Sequence, residues 1–415
     1  MTFTTHTIDR EKLKRLADVA VKVGLNLQPG QELVMTAPVE ALPLVREITE
    51  AAYEAGASLV TPLLSDDEVT LARYRSGTSD GFDTAPGWLY EGMAQAFEKG
   101  AARLAIKGDD PALLAGRNPD HVGRAAKAMS AASRPALNHI ANFRINWNIV
   151  SWPGLAWARQ VFPHLAPEAA QAALADAIFK ASRVDQGGAV EAWRAHNATL
   201  AERAAWLNGN RFDALHYTGP GTDLTIGLAD GHAWVGGETE ARNGVICTPN
   251  IPTEEVFTTP HAERADGYVR ATKPLSYQGT LIEEIEVRFE GGRITEARAA
   301  SGENVFRTLL DNDEGARRLG EVALVPHRSP ISDTGLLFYN TLFDENAASH
   351  IALGQCYAEC FEDKTLSKEE VAQRGGNSSI IHVDWMIGSA EIDIDGITAD
   401  GTRVPVMRSG GWAQG

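Results

Sequence analysis

A histidine and an aspartate stand two residues apart in the apolar stretch NSSIIHVDWMIG, residues 377–388. In a β-strand the side chains alternate between two faces, so His382 and Asp384 are expected to point one way while Val383 and Trp385 point the other. A ring nitrogen and a carboxylate at this fixed spacing on a rigid element suit a divalent metal ion. The alternative is a simple ion pair at the protein surface.

A second histidine, His350, stands among small and apolar residues in DENAASHIALGQCYAEC, residues 344–360. A histidine in such surroundings is either a hydrogen-bonded core residue or a metal ligand. Tyr357 follows seven positions later, a spacing that returns to the same side of a helix. If the segment is helical, we expect His350 and Tyr357 to share a face.

Three glutamates precede these histidines in the chain. Glu254 and Glu255 lie between prolines in TPNIPTEEVFTTP, residues 248–260, and Glu321 opens a short apolar run in RRLGEVALVPHRSPIS, residues 317–332. Taken singly, glutamates are usually exposed to solvent. If the first segment is extended, Glu254 and Glu255 point to opposite faces, so at most one of them faces a given site.

Taken together, two histidines and several carboxylates are the ligand set of a hydrolytic zinc, cobalt or manganese site. Several carboxylates can also bridge two ions, which lie about 3.5 to 4 Å apart in such centres. A pair of ions polarises a carbonyl group and lowers the pKa of bound water, which is the chemistry of amide hydrolysis. These residue types therefore point to metal-assisted hydrolysis.

The composition is that of a folded globular protein that does not favour polyanions. The chain has 415 residues, enough for about two or three domains. With 38 lysines and arginines against 55 aspartates and glutamates, its net charge of −17 opposes binding to nucleic acid and to anionic membranes. Its three cysteines argue against a disulfide framework. No run of 18 apolar residues and no apolar leader occurs, so we expect a cytoplasmic protein.

The first half of the sequence alternates between strand-like and helix-like segments. Strands are predicted over residues 31–37, 58–66, 103–110 and 146–153, and helices over residues 9–27, 43–57 and an alanine-rich region at 167–207. Such alternation is typical of a parallel or mostly parallel sheet. We therefore predict an α/β N-terminal domain with a mostly parallel sheet over residues 1–208.

From residue 209 the pattern changes to short alternating runs separated by glycine, proline and aspartate, which is typical of β-strands. Hairpins are predicted over residues 280–299, around Gly291 and Gly292, and over residues 391–406. We predict a β-rich α+β C-terminal domain over residues 209–415. Every candidate reactive residue lies in this second domain.

Four motifs, in the order NIPTEEVFTTP, LGEVALVP, ENAASHIALGQCY and HVDWMIG, resemble the thermophilic aminopeptidase T family of dimetal exopeptidases. The resemblance covers the C-terminal half in sequence and the two-part architecture over nearly the whole chain. It implies two divalent metal ions held by two glutamates, two histidines and an aspartate, with a tyrosine beside them. Carried over to this sequence, the implied ligands are Glu255, Glu321, His350, His382 and Asp384, and the tyrosine is Tyr357.

The resemblance also implies an activity and an assembly. The activity is removal of N-terminal amino acids from short peptides by metal-activated water. The proton would be carried by a bridging carboxylate, for which Glu321 is the candidate, or by a carboxylate that binds no metal, and Tyr357 would donate a hydrogen bond to the developing oxyanion. Glu254 is left as a neighbour of the ligands, and Cys356 is interpreted as a small buried cysteine. The implied assembly is a homodimer in which the N-terminal domain makes dimer contacts and restricts access to the catalytic site.

Two other classes of function fit parts of the pattern. A non-catalytic metal- or peptide-binding protein could keep a peptidase-like fold, although all six expected positions are present. A mononuclear iron oxygenase usually needs a histidine well downstream of the HxD pair, and none follows His382 in the sequence. Both alternatives are less favoured than a hydrolase.

Overall fold

The computed structural model describes residues 8–277 and 279–414. By its internal contacts the chain divides into two compact units: the residues up to Ala195 with Glu238–Pro252, and His196–Gly237 with the residues from Thr253 onward. The predicted boundary near residue 208 falls inside a helix, Ala189–Asn210, and the segment Glu238–Pro252 returns to the first unit beyond it. The division of roles between residues 1–208 and 209–415 stays a prediction. Over the described ranges, no helix is long and apolar enough to cross a bilayer.

The helices and strands are numbered here in chain order. The helices are α1 (Arg10–Val19), α2 (Leu42–Glu54), α3 (Asp67–Ser76), α4 (Gly87–Glu98), α5 (Pro119–Ala141), α6 (Leu155–Val161), α7 (Pro167–Ala181), α8 (Ala189–Asn210), α9 (Glu303–Leu310), α10 (Thr341–Asp344) and α11 (Lys368–Gln373). The strands are β1 (Glu32–Pro38), β2 (Leu59–Ser65), β3 (Ala102–Lys107), β4 (Trp147–Ser151), β5 (Ala214–Gly219), β6 (Thr222–Leu228), β7 (Thr239–Glu240), β8 (Ile246–Cys247), β9 (Val256–Thr258), β10 (Pro260–Arg270), β11 (Leu275–Tyr277), β12 (Thr280–Ile282), β13 (Glu286–Glu290), β14 (Arg293–Arg298), β15 (Leu319–Leu324), β16 (His350–Gly354), β17 (His382–Met386), β18 (Asp393–Ile397), β19 (Arg403–Arg408) and β20 (Gly411–Trp412).

The first unit is built on a four-stranded sheet in the order β2-β1-β3-β4, and every neighbouring pair is parallel. Its strands are apolar where they meet the helices, with Leu33, Met35 and Leu104 fully buried. Helix α1 begins at Arg10 because the side chain of Asp9 accepts hydrogen bonds from the first free backbone N–H groups. The predicted parallel α/β domain is thereby confirmed.

The alanine-rich region forms two helices, α7 and α8, rather than one. The break contains Gly187 and Gly188, and Gly188 has a φ of 75°, in the left-handed region that favours glycine. The predicted helical region over residues 167–207 is therefore confirmed, as two helices with a glycine-containing break between them.

The second unit contains an eight-stranded sheet in the order β14-β13-β10-β6-β5-β18-β19-β20, antiparallel throughout. The two predicted hairpins are confirmed as β13-β14 and β18-β19. The turn of the first one depends on glycine, because a Cβ atom on Gly292 would lie 2.0 Å from the carbonyl oxygen of Ala262.

A second sheet in this unit has four antiparallel strands in the order β17-β16-β15-β9. One apolar core joins buried side chains of both sheets with helix α9, among them Leu224, Phe289, Phe306, Val322, Ile351 and Trp385. The prediction of a β-rich α+β domain is confirmed. The smaller sheet matters most here, because its other face carries the candidate reactive residues.

Candidate functional site

The four-stranded sheet aligns the candidate residues on one face. Glu321 of β15 pairs with Ala352 of β16, and Ala352 pairs with Asp384 of β17, so these three residues form a row across the strands. His350 and His382 each precede a member of that row by two positions on the same strand, so they share its face. The alternate positions are buried in the apolar core, as predicted for the HVDW strand: Val322, Ile351 and Trp385.

The side chains on this face form two groups of possible metal ligands that share one residue. In the first group, Nε2 of His350 lies 3.2 Å from Oε2 of Glu255 and 3.5 Å from Oε1 of Glu321. In the second group, Nε2 of His382 lies 3.7 Å from Oε2 of Glu321 and 3.4 Å from Oδ1 of Asp384. The two oxygens of Glu321 therefore face different histidines, which is the arrangement of a bridging carboxylate.

Both histidine rings are fixed by backbone carbonyl groups. Nδ1 of His350 is 3.1 Å from the carbonyl oxygen of Ala348, and Nδ1 of His382 is 2.7 Å from that of Gln355. A carbonyl oxygen can only accept, so each Nδ1 carries the proton and donates it. This leaves Nε2 of both rings directed at the carboxylates, which is how metal-binding histidines are usually oriented.

The cluster carries more buried negative charge than its neighbours compensate. Burial raises the pKa of Glu321, and the nearby Asp384 and Glu255 raise it further against the opposing effect of the histidines. Burial alone would lower the pKa of His350, but its hydrogen bonds to Glu255 and Glu321 raise it well above its ordinary value. Without a metal ion, the cluster thus holds protons at positions where a cation would bind.

One atom of the cluster supports this interpretation directly. Oδ1 of Asp384 is buried, and within the described part of the chain it accepts no hydrogen bond, although Nε2 of His382 lies 3.4 Å away. A buried carboxylate oxygen without a donor is costly, and a divalent cation would satisfy it. The donor set of imidazole nitrogens and carboxylate oxygens fits such a cation.

Glu345 is a further residue of the cluster that the sequence analysis missed. It directly follows α10, and burial raises its pKa well above the ordinary value, with Asp384, Glu255 and Glu321 adding to the effect. The available signal was its place in the ENAASH motif, five residues before His350. Its neighbour Asp344 has a different role, since its carboxylate accepts hydrogen bonds from the backbone N–H groups of Phe338 and Asn340.

Tyr357 lies beside the cluster, but not for the reason that its spacing suggested. Residues 350–354 form strand β16 instead of a helix, because they pair with β15 on one side and β17 on the other. The chain turns after Gly354, and the ring of Tyr357 lies 4.6 Å from the ring of His382 between centroids. Tyr357 is 41% exposed, but partial desolvation and the surrounding carboxylates still raise the pKa of its hydroxyl group, which remains a hydrogen-bond donor.

Glu254 and Cys356 were also singled out in the sequence, as a neighbour of the ligands and as a small buried residue. Glu254 is buried rather than exposed, and its Oε2 lies 3.6 Å from Nε2 of His196, away from the partners of Glu255. The two glutamates therefore have different partners, as the alternation of an extended segment predicts. Cys356 is a buried free cysteine, and burial raises the pKa of its thiol to about 11. The interpretation of Cys356 as a small buried residue is confirmed.

Comparisons with known proteins show what this chain is similar to. The sequence model of the thermophilic metalloprotease family (M29) matches residues 9–412. Aminopeptidase T of Thermus thermophilus is 55% identical over 403 residues, covering 97% of this chain and 98% of that protein. Aminopeptidase T of Thermus aquaticus is 56% identical over 402 residues with the same coverage. The solved structure of wild-type AmpT from Thermus thermophilus matches with a TM-score of 0.92 and 54% identity, covering 97% of this chain and 99% of that one.

A more distant match concerns the fold alone. The structure of 2,5-dihydroxypyridine dioxygenase from Pseudomonas putida KT2440 covers 98% of this chain and 99% of its own, with a TM-score of 0.50 and 12% identity. Function must therefore be argued from the residues of the site and from the close relatives.

The chain belongs to the thermophilic metalloprotease family M29. The predicted resemblance to the aminopeptidase T family is confirmed, and so is the class of enzyme, a metal-dependent aminopeptidase.

Proposed function

We propose that the protein removes N-terminal amino acids from short peptides with the help of two divalent metal ions. The observation that carries the proposal is the position of Glu321, whose two oxygens face Nε2 of His350 and of His382. Each of these histidines also lies near a second carboxylate, Glu255 for His350 and Asp384 for His382. One ion would be held by Glu255, Glu321 and His350, and the other by Glu321, His382 and Asp384. Glu345, whose buried carboxyl group interacts with Asp384, Glu255 and Glu321, is a candidate additional ligand.

Zinc, cobalt and manganese all accept this mixed set of nitrogen and oxygen ligands. When bound, such ions supply Lewis-acid polarisation of the scissile carbonyl group and lower the pKa of a water molecule. Two ions are proposed rather than one because the two ligand groups overlap only at Glu321.

The protein's own residues would then handle the proton and the developing charge. Glu321 is the proposed carrier of the proton from water to the leaving nitrogen, because its carboxylate lies between the two ligand groups. If both oxygens of Glu321 are used to hold the two ions, another carboxylate must carry the proton. Glu345 is the second candidate for this role. Tyr357, kept protonated by its raised pKa, would donate a hydrogen bond to the oxyanion.

Hydrolysis of leucine p-nitroanilide tests the proposal. Activity should disappear after chelation and dialysis, and it should return on addition of cobalt, zinc or manganese ions. The matched control substrate is N-acetyl-leucine p-nitroanilide, which an exopeptidase that needs a free amine should leave intact. Hydrolysis that survives complete chelation would overturn the metal requirement, and equal cleavage of the acetylated substrate would overturn the exopeptidase assignment.

The assembly and the location are also proposals. We propose a homodimer in which the N-terminal domain, residues 1–208, makes the dimer contacts and limits access, while residues 209–415 carry catalysis. Support comes from the edge strand β2, where Leu59 and Leu64 are about half exposed, at 48% and 47%. Light scattering measures the oligomeric state, and a monomer at micromolar concentration would contradict the dimer.

A cytoplasmic location is supported by the three cysteines, all of them free and buried.

A further inference from the structure

The segment that carries Glu255 is held in place by a side chain from a distant part of the chain. Asn346 has no exposed surface, at 0%. Its Oδ1 accepts a hydrogen bond from the backbone N–H of Glu254 at 2.8 Å, across 92 residues of sequence. Its Nδ2 donates to the carbonyl oxygen of Leu342 at 3.0 Å, which fixes the orientation of the amide.

A second side chain holds the same segment one residue earlier. Nε2 of His196 lies 2.8 Å from the carbonyl oxygen of Thr253, to which it can only donate. Two consecutive backbone groups, the carbonyl of Thr253 and the N–H of Glu254, are thus bound by side chains from other parts of the second unit. This matters because Glu255 lies just before β9, outside the ladder that aligns the other ligands.

The two ligand groups differ in how they depend on Asn346. The group of His382 and Asp384 is aligned by the pairing of β16 with β17 and of β15 with β16. In the other group, Glu255 reaches His350 from outside these pairings, with 3.2 Å between Oε2 and Nε2. Asn346 lies four residues before His350 and binds the backbone next to Glu255, so it fixes one ligand relative to the other.

We propose that Asn346 is a positioning residue that sets the affinity of the metal ion held by Glu255, Glu321 and His350, and not that of the second ion. The inference rests on the proposed function, because it requires the cluster to bind metal. Residues that orient metal ligands typically change metal affinity by about 10- to 100-fold when they are replaced. An effect of that size on one of two ions separates positioning from a general loss of stability.

The test is a cobalt titration of the metal-free enzyme, followed by visible absorption and by metal content after dialysis. Asn346→Ala should weaken one of the two ions by about 10- to 100-fold and leave the other within about twofold of the wild type. The matched control is Asn146→Ala. Asn146 is equally buried, and its Nδ2 donates to the carbonyl oxygen of Leu25 at 2.8 Å within the first unit. This control should lower the unfolding midpoint and leave both cobalt affinities unchanged.

The His196 variants keep the proposal testable if Asn346→Ala does not fold. His196→Ala should weaken the same ion, whereas His196→Gln, which can still donate to Thr253, should bind it more nearly as the wild type does. If the Asn346 and His196 variants bind both ions with wild-type affinity, or weaken both ions equally, the positioning role is overturned. If the wild type itself binds no cobalt at this cluster, the proposed function fails, and the inference fails with it.

Discussion

Replacing Glu321 with glutamine tests the shared carboxylate most sharply. In the wild type, Oε1 of Glu321 lies 3.5 Å from Nε2 of His350 and Oε2 lies 3.7 Å from Nε2 of His382. Glutamine has one side-chain oxygen instead of two, so it can place an oxygen near only one of these histidines. Loss of a proton carrier alone costs about 10²- to 10⁴-fold in rate. At 1.36 kcal/mol per tenfold, that range is about 3 to 5 kcal/mol of transition-state stabilisation. Saturating metal removes any contribution from weaker ion binding, so kcat should fall by about 10²- to 10⁴-fold.

Glu254→Gln is the matched control for this substitution. Glu254 is also a buried glutamate, but its oxygen lies near His196, at 3.6 Å, and not in either ligand group. We expect its kcat for leucine p-nitroanilide to stay within about tenfold of the wild type. The assay is steady-state hydrolysis at saturating metal, with circular dichroism to verify folding and elemental analysis to count ions. Equal losses in the two variants would show that the ligand set, or the choice of Glu255 within the pair, is wrong.

Three further predictions concern the tyrosine, pH and metal removal. Tyr357→Phe should lower kcat by about 10²- to 10³-fold with little change in KM or metal content, because one donor to the oxyanion is lost, and an unchanged kcat would refute that role. Burial lowers the pKa of His382, but Asp384 and Glu321 outweigh it and raise the pKa from 6.5 to about 9. This raised pKa stabilises the metal-free folded protein by roughly 3 kcal/mol below pH 6.5, and that stabilisation should be lost as pH rises to about 9. Denaturant titrations of the metal-free protein at each pH measure the free energy of unfolding. Chelation should lower the free energy of unfolding by about 4 kcal/mol per ion relative to protein with free metal at a thousandfold excess over Kd, and an unchanged unfolding curve would contradict a bound metal.

Local regularity explains which parts of the site could be predicted from the sequence. His382 and Asp384 share a face because the two-residue period of a strand holds wherever the strand forms. The apolar alternate positions, such as Trp385, supplied the signal that a strand would form there. The parallel strands of the first unit were predictable for a similar reason, since each is a short apolar run between helical segments.

Long-range contacts explain what could not be predicted. The seven-residue spacing of His350 and Tyr357 is compatible with a helix, but pairing with β15 and β17 decides for a strand. Glu345 was missed because glutamates are usually exposed, and only the assembled cluster shows that this one is not. The return of Glu238–Pro252 to the first unit depends on contacts such as the bridge between Ile149 and Asn250, which local patterns do not encode.

Anomalous X-ray diffraction from cobalt-loaded crystals tests most directly whether two divalent ions share Glu321. At the cobalt absorption edge we predict two peaks per chain. One should lie among Glu255, Glu321 and His350, and the other among Glu321, His382 and Asp384. A single peak, or peaks away from Glu321, would contradict the shared-carboxylate site.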